Sequence, residues 1–570
     1  MKGAEVIVEM LIKYQVKKIF GVPGGQTNPL YESIFDHREQ VTHILFREET
    51  NAVFAADGYA KISHTIGVAD ATLGPGTLRA LPALAESYNS SIPIILFVGN
   101  NPLNWLPLTV YRGNASQAID QVRLLEPVTK WVGQLTDIKS IPAIVRFAFR
   151  VASSGRPGPV AIDVPYSILQ ADEEIDEQQL YSQEEFSKIP ALRIIPERDK
   201  VLQAARLIQQ SSRPVIISGG GVFLSNALKE LYNLCTTFKI PVATTINGKG
   251  SFPETHPLSL GVLGSLGGWD IAEKVVRMAD LLIFIGSNVD QMTTMDWSLP
   301  AENQRAIHID VDPAELGRTF SCNVSILGDA KASLDMINTT LAEMGCAPKV
   351  SWVEEIQTVK KDMNERLEYI PSGSIGGRLN PKTVMEIIDE FLSSKHPAIV
   401  VSDASSSSGW VAGFIQAREV GGRFIFPRGM AGLGYGIPAA IGATLAAKDT
   451  GLEYSRCFAI IGDGGAAYSI TEIETAKRLK IPLVAIVLND SALGWIKKIQ
   501  EKSGKVISSE LMDVSYAAVS VGLGGRGYDV RTYSDLKWSL EDCFDRNEPC
   551  LIDVKVESVV PYKPLSAYPR

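Results

Sequence analysis

At 570 residues the chain is too long for one hydrophobic core and implies three or four domains, while 45% apolar and 21% charged residues are ordinary for a soluble globular protein. A net charge of −9 leaves no basic excess to neutralise phosphates, which argues against general nucleic-acid binding. No secretory leader and no apolar run near the roughly 20 residues that span a bilayer can be read, and the six scattered cysteines suit reduced buried thiols, so a cytoplasmic protein without membrane contact is expected.

Short apolar runs alternate with helical periodicity almost throughout, the pattern of parallel α/β domains. In the first block, residues 1–170, strands are expected at Lys18 to Gly21, Thr42 to Phe46, Thr65 to Ala71, Ile92 to Val98 and Pro159 to Val164, with a helix from Thr50 to Tyr59. An acidic stretch around Asp172 to Glu177 reads as solvated linker. The second block, 190–345, carries strands Pro214 to Ser218, Pro241 to Thr245, Asp280 to Ile285 and Ala306 to Ile309. Pro371 to Gly377 marks a further boundary. The third block, 375–560, carries Ala398 to Val401, Phe458 to Ile461, Pro482 to Leu488 and Cys550 to Val554, followed by a tail, 561–570. The expected fold is three consecutive doubly wound parallel-sheet α/β domains.

The most informative segment begins where a buried-strand pattern ends in Gly462-Asp463-Gly464-Gly465. A helical pattern follows, and then a second strand ends in Asn489-Asp490. Both polar clusters therefore emerge at the carboxyl edge of a parallel sheet, where such sheets bind ligands. The glycines admit phosphate oxygens close to the backbone, and Asp463 and Asp490 are hard ligands suited to Mg²⁺. Upstream, Asp403-Ala404-Ser405-Ser406-Ser407-Ser408 follows another strand and offers hydroxyls and amides to phosphate. An unliganded turn and a solvated loop are the alternative readings of these segments.

Gly-Asp-Gly followed, after residues 465–488, by Asn489-Asp490 resembles the diphosphate motif of thiamine diphosphate enzymes, with Asp490 where the family usually has a second Asn. The resemblance implies Mg²⁺ bound by Asp463, Asp490 and the carbonyl of Ala492, and diphosphate held by Gly462, Asp463, Gly464, Gly465, Ser405, Ser406 and Ser407. The acetolactate synthase relatives often carry Gln-His where Ser406-Ser407 falls. Met430 to Gly442 is similar to the family's pyrimidine segment, which places Leu433 beneath the bent cofactor and Ala431 against its ring. Phe46-Arg47-Glu48-Glu49 resembles the Arg-His-Glu segment of acetolactate synthases, with Glu49 on the position of the catalytic glutamate. Glu48 stands where His is usual. A helix start favouring acids is the plain reading of the pair.

Gly21 to Gln26 resembles the first pocket loop of the acetolactate synthase, pyruvate oxidase and benzaldehyde lyase group, implying a pocket role for Gln26 and cofactor contacts at Gly24 and Gly74. Gln117 aligns more loosely with a pocket glutamine. Trp495 and Ile499 share a helix face. The resemblance places both above the cofactor, where aliphatic Ile499 would leave an open, apolar acceptor pocket. In the central block, Gly219-Gly220-Gly221 is not the dinucleotide fingerprint, and Gly286 to Asp290 lacks the arginine of flavin-binding relatives, so a spacer without FAD is expected. The resemblance as a whole implies decarboxylation of a 2-oxo acid donor with carboligation to a carbonyl acceptor. Non-ligating decarboxylation, 2-hydroxy ketone lysis and a flavin-dependent oxidase are the alternatives. It also implies sites shared between two subunits, hence a homodimer at least and a homotetramer as the usual assembly.

Overall fold

The structure, a computed structural model, describes residues 1–106, 115–266, 270–364, 377–395, 397–421, 423–454 and 456–561. The expected boundary at 371–376 and the tail at 562–570 lie outside the described residues. Three six-stranded sheets follow one another along the chain, every strand pairing within them parallel.

The first sheet contains β1 (Lys18–Gly21), β2 (Thr42–Leu45), β3 (Gly67–Ala71), β4 (Ile94–Asn100), β5 (Val132–Gln134) and β6 (Val160–Pro165), in the order β2-β1-β3-β4-β6-β5. The second contains β7 (Pro214–Ser218), β8 (Val242–Thr244), β9 (Ser259–Val262), β10 (Leu281–Ile285), β11 (Arg305–Asp310) and β12 (Val324–Leu327), in the order β12-β11-β10-β7-β8-β9. The third contains β13 (Ile399–Ser402), β14 (Arg423–Ile425), β15 (Cys457–Gly462), β16 (Leu483–Asn489), β17 (Arg526–Val530) and β18 (Cys550–Lys555), in the order β14-β13-β15-β16-β18-β17. The two outer domains thus share one winding, and the central domain has the order of dinucleotide-binding folds.

Five strands escape the sequence pattern: β5, β9, β12, β14 and β17. Each is an edge strand. An edge strand need not be buried on both faces, so it loses the continuous apolar run that marks β4 and β16, in which every residue is buried. β17, Arg526-Gly527-Tyr528-Asp529-Val530, buries only Val530.

The first and third domains meet along two helices, Glu49–Ser63 and Gly436–Thr450. Glycine makes this approach possible. A Cβ at Gly58 would fall 2.3 Å from the Ala439 carbonyl oxygen, and one at Gly442 would fall 1.9 Å from that of Ala55. Neither obstacle is a side chain that can swing away. Gly442→Val is therefore expected to destabilise the protein by about 1–3 kcal/mol or more, read as a lowered thermal midpoint. An unchanged midpoint would contradict this packing. Polar ties complete the seam: Tyr435 Oη donates to Asp57 at 2.6 Å, and Asn51 Nδ2 donates to Glu472 at 3.0 Å. Burial pushes the Glu472 carboxyl up to about 7. Among the described residues no helix is long and apolar enough to cross a membrane.

Candidate active site

Loops from the carboxyl ends of the neighbouring strands β14, β13, β15 and β16 surround a cavity of about 450 Å³. Its wall contains Ser405, Ser406, Ser407, Ala431, Leu433, Gly462, Asp463, Gly464, Gly465, Asp490, Ala492 and Trp495, which brings together the site residues expected in the C-terminal half except Ile499.

β15 ends at Gly462, and the helix Asp463–Ser469 starts at the next residue. A side chain at Gly462 would meet nothing within 4 Å, whereas one at Gly465 would come within 2.9 Å of the Asp403 carboxyl. The first glycine keeps a wall of the cavity bare. The second lets two loops touch.

Asp463 is nearly buried; its carboxylate accepts from Gly464 N at 2.9 Å, and its carbonyl accepts from Tyr516 Oη at 2.8 Å. Asp490 lies against it, in space left by Gly494, where a Cβ would sit 2.4 Å from Asp490 Oδ2. Burial raises both carboxyls above the usual carboxylate range, and the charge of Asp490 raises Asp463 further. The Ala492 amide lies near both and favours their ionised forms. The backbone bonds beside Ala492 run through the Ser491 carbonyl and the Leu493 amide, which leaves the Ala492 carbonyl outside that ladder.

A buried and a half-buried carboxylate that repel one another fit a divalent cation. No group of three or more His, Cys, Asp or Glu side chains that could hold a metal occurs among the described residues. The donor set therefore suits Mg²⁺, which keeps water and phosphate oxygens in its shell, rather than a metal caged by protein alone. Asn489, the first residue of the motif pair, is turned inward: its Nδ2 donates to Val514 O at 3.0 Å and to Asp553 at 2.9 Å.

In the serine loop, Ser407 Oγ donates to Ala404 O at 2.7 Å and Ser408 Oγ to Asp403 O at 2.6 Å. Those two hydroxyls tie the loop to itself. The hydroxyls of Ser405 and Ser406 have no protein partner among the described residues and border the cavity. Trp495 rests on the core of this domain at the rim, whereas Ile499 is not in the wall. Ser265, Leu266, Gln291, Met292 and Asp296 of the central domain, together with Arg428, close one side.

The N-terminal candidates gather separately, at the carboxyl edge of the first sheet. Glu48 caps the helix Glu49–Ser63, accepting from Asn51 N at 3.0 Å and Thr50 Oγ1 at 2.9 Å. Glu49 has no such task. It is only 6% exposed and its Oε2 has no hydrogen-bond partner; the Arg79 guanidinium stands 3.7 Å away. A Cβ at Gly76 would lie 3.1 Å from Glu49 Oε1. An acidic oxygen left buried and unsatisfied is costly and points to a missing donor.

Gln26 Oε1 accepts from Thr72 Oγ1 at 3.2 Å, and Gly24 lies against the same threonine. Gly74 has φ +60° and abuts the Gln117 carbonyl. The Gln117 side chain itself is exposed. The buried glutamine here is Gln121, whose Oε1 accepts from Thr77 Oγ1 at 3.2 Å and whose Nε2 donates to Gly99 O at 2.8 Å. None of these N-terminal residues borders the Asp463 cavity.

A larger cavity of about 760 Å³ lies over the central sheet, walled in part by Gly220, Gly221, Gly286, Ser287, Asn288 and Asp310. It shares Ser265, Leu266, Gln291, Met292, Arg428 and Ala431 with the Asp463 cavity. Apart from Ala431, these shared residues carried no sequence signal, since they come from loops of two domains.

Known proteins agree with this layout. Residues 1–124 match the domain family described as thiamine pyrophosphate enzyme, N-terminal TPP binding domain; 201–337 match the central domain and 403–554 the C-terminal TPP binding domain of the same enzymes. The "Probable acetolactate synthase large subunit" of Methanocaldococcus jannaschii is 33% identical over 98% of this chain and 92% of its own length. The acetolactate synthase large subunit of Lactococcus lactis is 31% identical over 99% and 94%. The acetolactate synthase isozyme 1 large subunit of Escherichia coli K12 is 30% identical over 99% and 96%.

Proposed function

We propose a reaction for a chain that belongs to the thiamine pyrophosphate enzyme family, in its acetolactate synthase group: decarboxylation of a 2-oxo acid and ligation of the remaining acyl unit to a carbonyl acceptor. The observation that carries it is the mutually repelling pair of buried Asp463 and half-buried Asp490 beside the bare glycine turn of a cavity with room for a diphosphate. When bound, thiamine diphosphate supplies an acidic carbon and an electron sink for loss of CO₂.

The chain's own residues do the rest. Asp463, Asp490 and the Ala492 carbonyl would hold Mg²⁺, while Ser405, Ser406 and the Gly465 amide would receive the diphosphate. Leu433 supports the cofactor from below and Ala431 borders its pyrimidine. Glu49 holds a proton at the pyrimidine ring, with Gly24 and Gly74 lending backbone contacts. Gln26 and Gln117 face the substrate, and Trp495 limits the space above. A screen of 2-oxo acid donors against carbonyl acceptors, with mass detection of products, tests the reaction. Carbon dioxide release without any ligated product in every pairing would favour a simple decarboxylase instead.

Because Glu49 lies outside the Asp463 cavity of its own chain, each working site takes its halves from two copies, which makes the homodimer the minimum and the homotetramer the proposed assembly. The six unpaired cysteines suit a reducing, cytoplasmic setting.

Metal binding carries its own signature. Both carboxyls titrate above the usual range and must ionise to bind Mg²⁺, so lowering the pH adds a proton competitor. Calorimetry with Mg²⁺ and thiamine diphosphate is expected to show affinity falling as the pH drops through about 7, approaching roughly tenfold per unit below it, with a shallower slope in Asp490→Asn. An identical slope in the variant would remove Asp490 from the metal site.

A second reading adds a flavin, against the expectation of a bare spacer. What favours it is the 760 Å³ cavity at the carboxyl edge of the central sheet, beside the switch in strand order between β7 and β10. The purified protein's visible absorption decides: an oxidised flavin band establishes it, and a colourless protein with full thiamine diphosphate-dependent turnover excludes it.

A further inference from the structure

The turn from Gly429 to Gly436 carries both Ala431 and Leu433, yet its own backbone is irregular. Ala431 has φ +55° and Gly434 φ +90°, and a Cβ at Gly434 would meet Tyr468 at 2.7 Å. A left-handed alanine costs free energy and persists only where its surroundings over-determine it.

Two carboxylates do so, one at each end of the turn. Glu86, on the N-terminal helix Pro75–Asn89, accepts from Gly429 N at 2.7 Å, Met430 N at 2.6 Å and Ala431 N at 3.2 Å. Asp403, at the end of β13, accepts from Gly434 N at 3.1 Å and Gly436 N at 3.0 Å, and from Ala404 N at 2.6 Å. Both side chains have no solvent exposure, and neither forms an ion pair among the described residues. Burying a charge without a cation is expensive unless hydrogen bonds replace its water. Here backbone amides do most of that work, joined at Glu86 by Ser90 Oγ at 2.7 Å. Burial still pushes the Asp403 carboxyl up to about 6. The arrangement needs carboxylates, since Gln or Asn would turn an NH₂ group toward an N–H donor.

We propose that Glu86 and Asp403 are positioning residues that clamp the 429–436 turn and so set Ala431 and Leu433 against the cofactor, an assignment that rests on the thiamine diphosphate reading above. Asp403 also touches Gly465, so one carboxylate joins three segments of the cavity: the serine loop, the wedge turn and the glycine turn. Glu86 reaches the same turn from another domain.

The test uses the full-length protein and the variants Glu86→Gln and Asp403→Asn, with three readouts. Amide hydrogen exchange over 429–436 is expected to quicken roughly tenfold or more in each variant, without general loss of protection. Thiamine diphosphate with Mg²⁺ should still bind within roughly tenfold of wild type, while kcat falls roughly a hundredfold and KM moves little, the mark of lost orientation rather than lost binding. Wild-type amides at 429–431 that exchange as fast as free amides would overturn the clamp without any variant. Wild-type binding of the cofactor combined with unchanged kcat in both variants overturns the positioning role alone. Wild-type protein that binds no thiamine diphosphate overturns the cofactor reading, and this role with it.

Discussion

Glu49→Gln is expected to lower turnover of a 2-oxo acid by roughly two to four orders of magnitude, the contribution of a positioned acid–base group. The substitution keeps the size and burial of the side chain and removes only its ability to hold and release a proton. Glu48 carries the capping of this helix, so Glu49 can be changed without undoing the helix start. Thermal stability and binding of thiamine diphosphate should therefore stay close to wild type. Arg79 is 62% exposed at 3.7 Å, and an ion pair so open to solvent contributes little to stability. Turnover that survives the change would take Glu49 out of the chemistry.

Asp463→Ala is expected to weaken cofactor and metal retention by roughly two to three orders of magnitude, because a carboxylate ligand and the anchor of the diphosphate disappear together. Its effect on the protein without cofactor should run the other way. Removing the buried member of two repelling carboxylates relieves a conflict, so the thermal midpoint without Mg²⁺ should hold or rise. A clear fall in that midpoint would make Asp463 a structural residue. The two variants also test the shared site. Mixed dimers of Glu49→Gln and Asp463→Ala chains should recover activity that neither variant has alone, since one of their two sites receives both intact halves. No recovery in verified mixed dimers would place each site within a single chain.

The central strands were legible because parallel sheets bury both faces and leave continuous apolar runs. The strands that were not legible lie at sheet edges, where that requirement lapses. Among site residues, Asp463 and Asp490 could be read because glycine turns and strand ends follow one another closely in sequence. Asp403 stood in view beside the serines, but its partners lie in a turn about thirty residues later in the chain. Glu86 gave no signal at all: in sequence it is one acid in an ordinary helix, and its amide partners lie more than three hundred residues away. Gln117 and Gln121 stand in the same stretch, and spacing cannot say which of two glutamines turns inward; the structure buries Gln121.

The order of local elements determined the three parallel domains, the strand ends and the residue types gathered there, since pattern, turn chemistry and charge are properties of neighbours in the chain. Only the tertiary structure decided which acids are spent on structure and which are left unsatisfied. Glu48 caps a helix, Glu86 and Asp403 are filled by backbone amides, and Glu49, Asp463 and Asp490 remain with buried oxygens or unbalanced charge. That distinction depends on desolvation and on partners brought together by folding, and both exist only once distant segments have met.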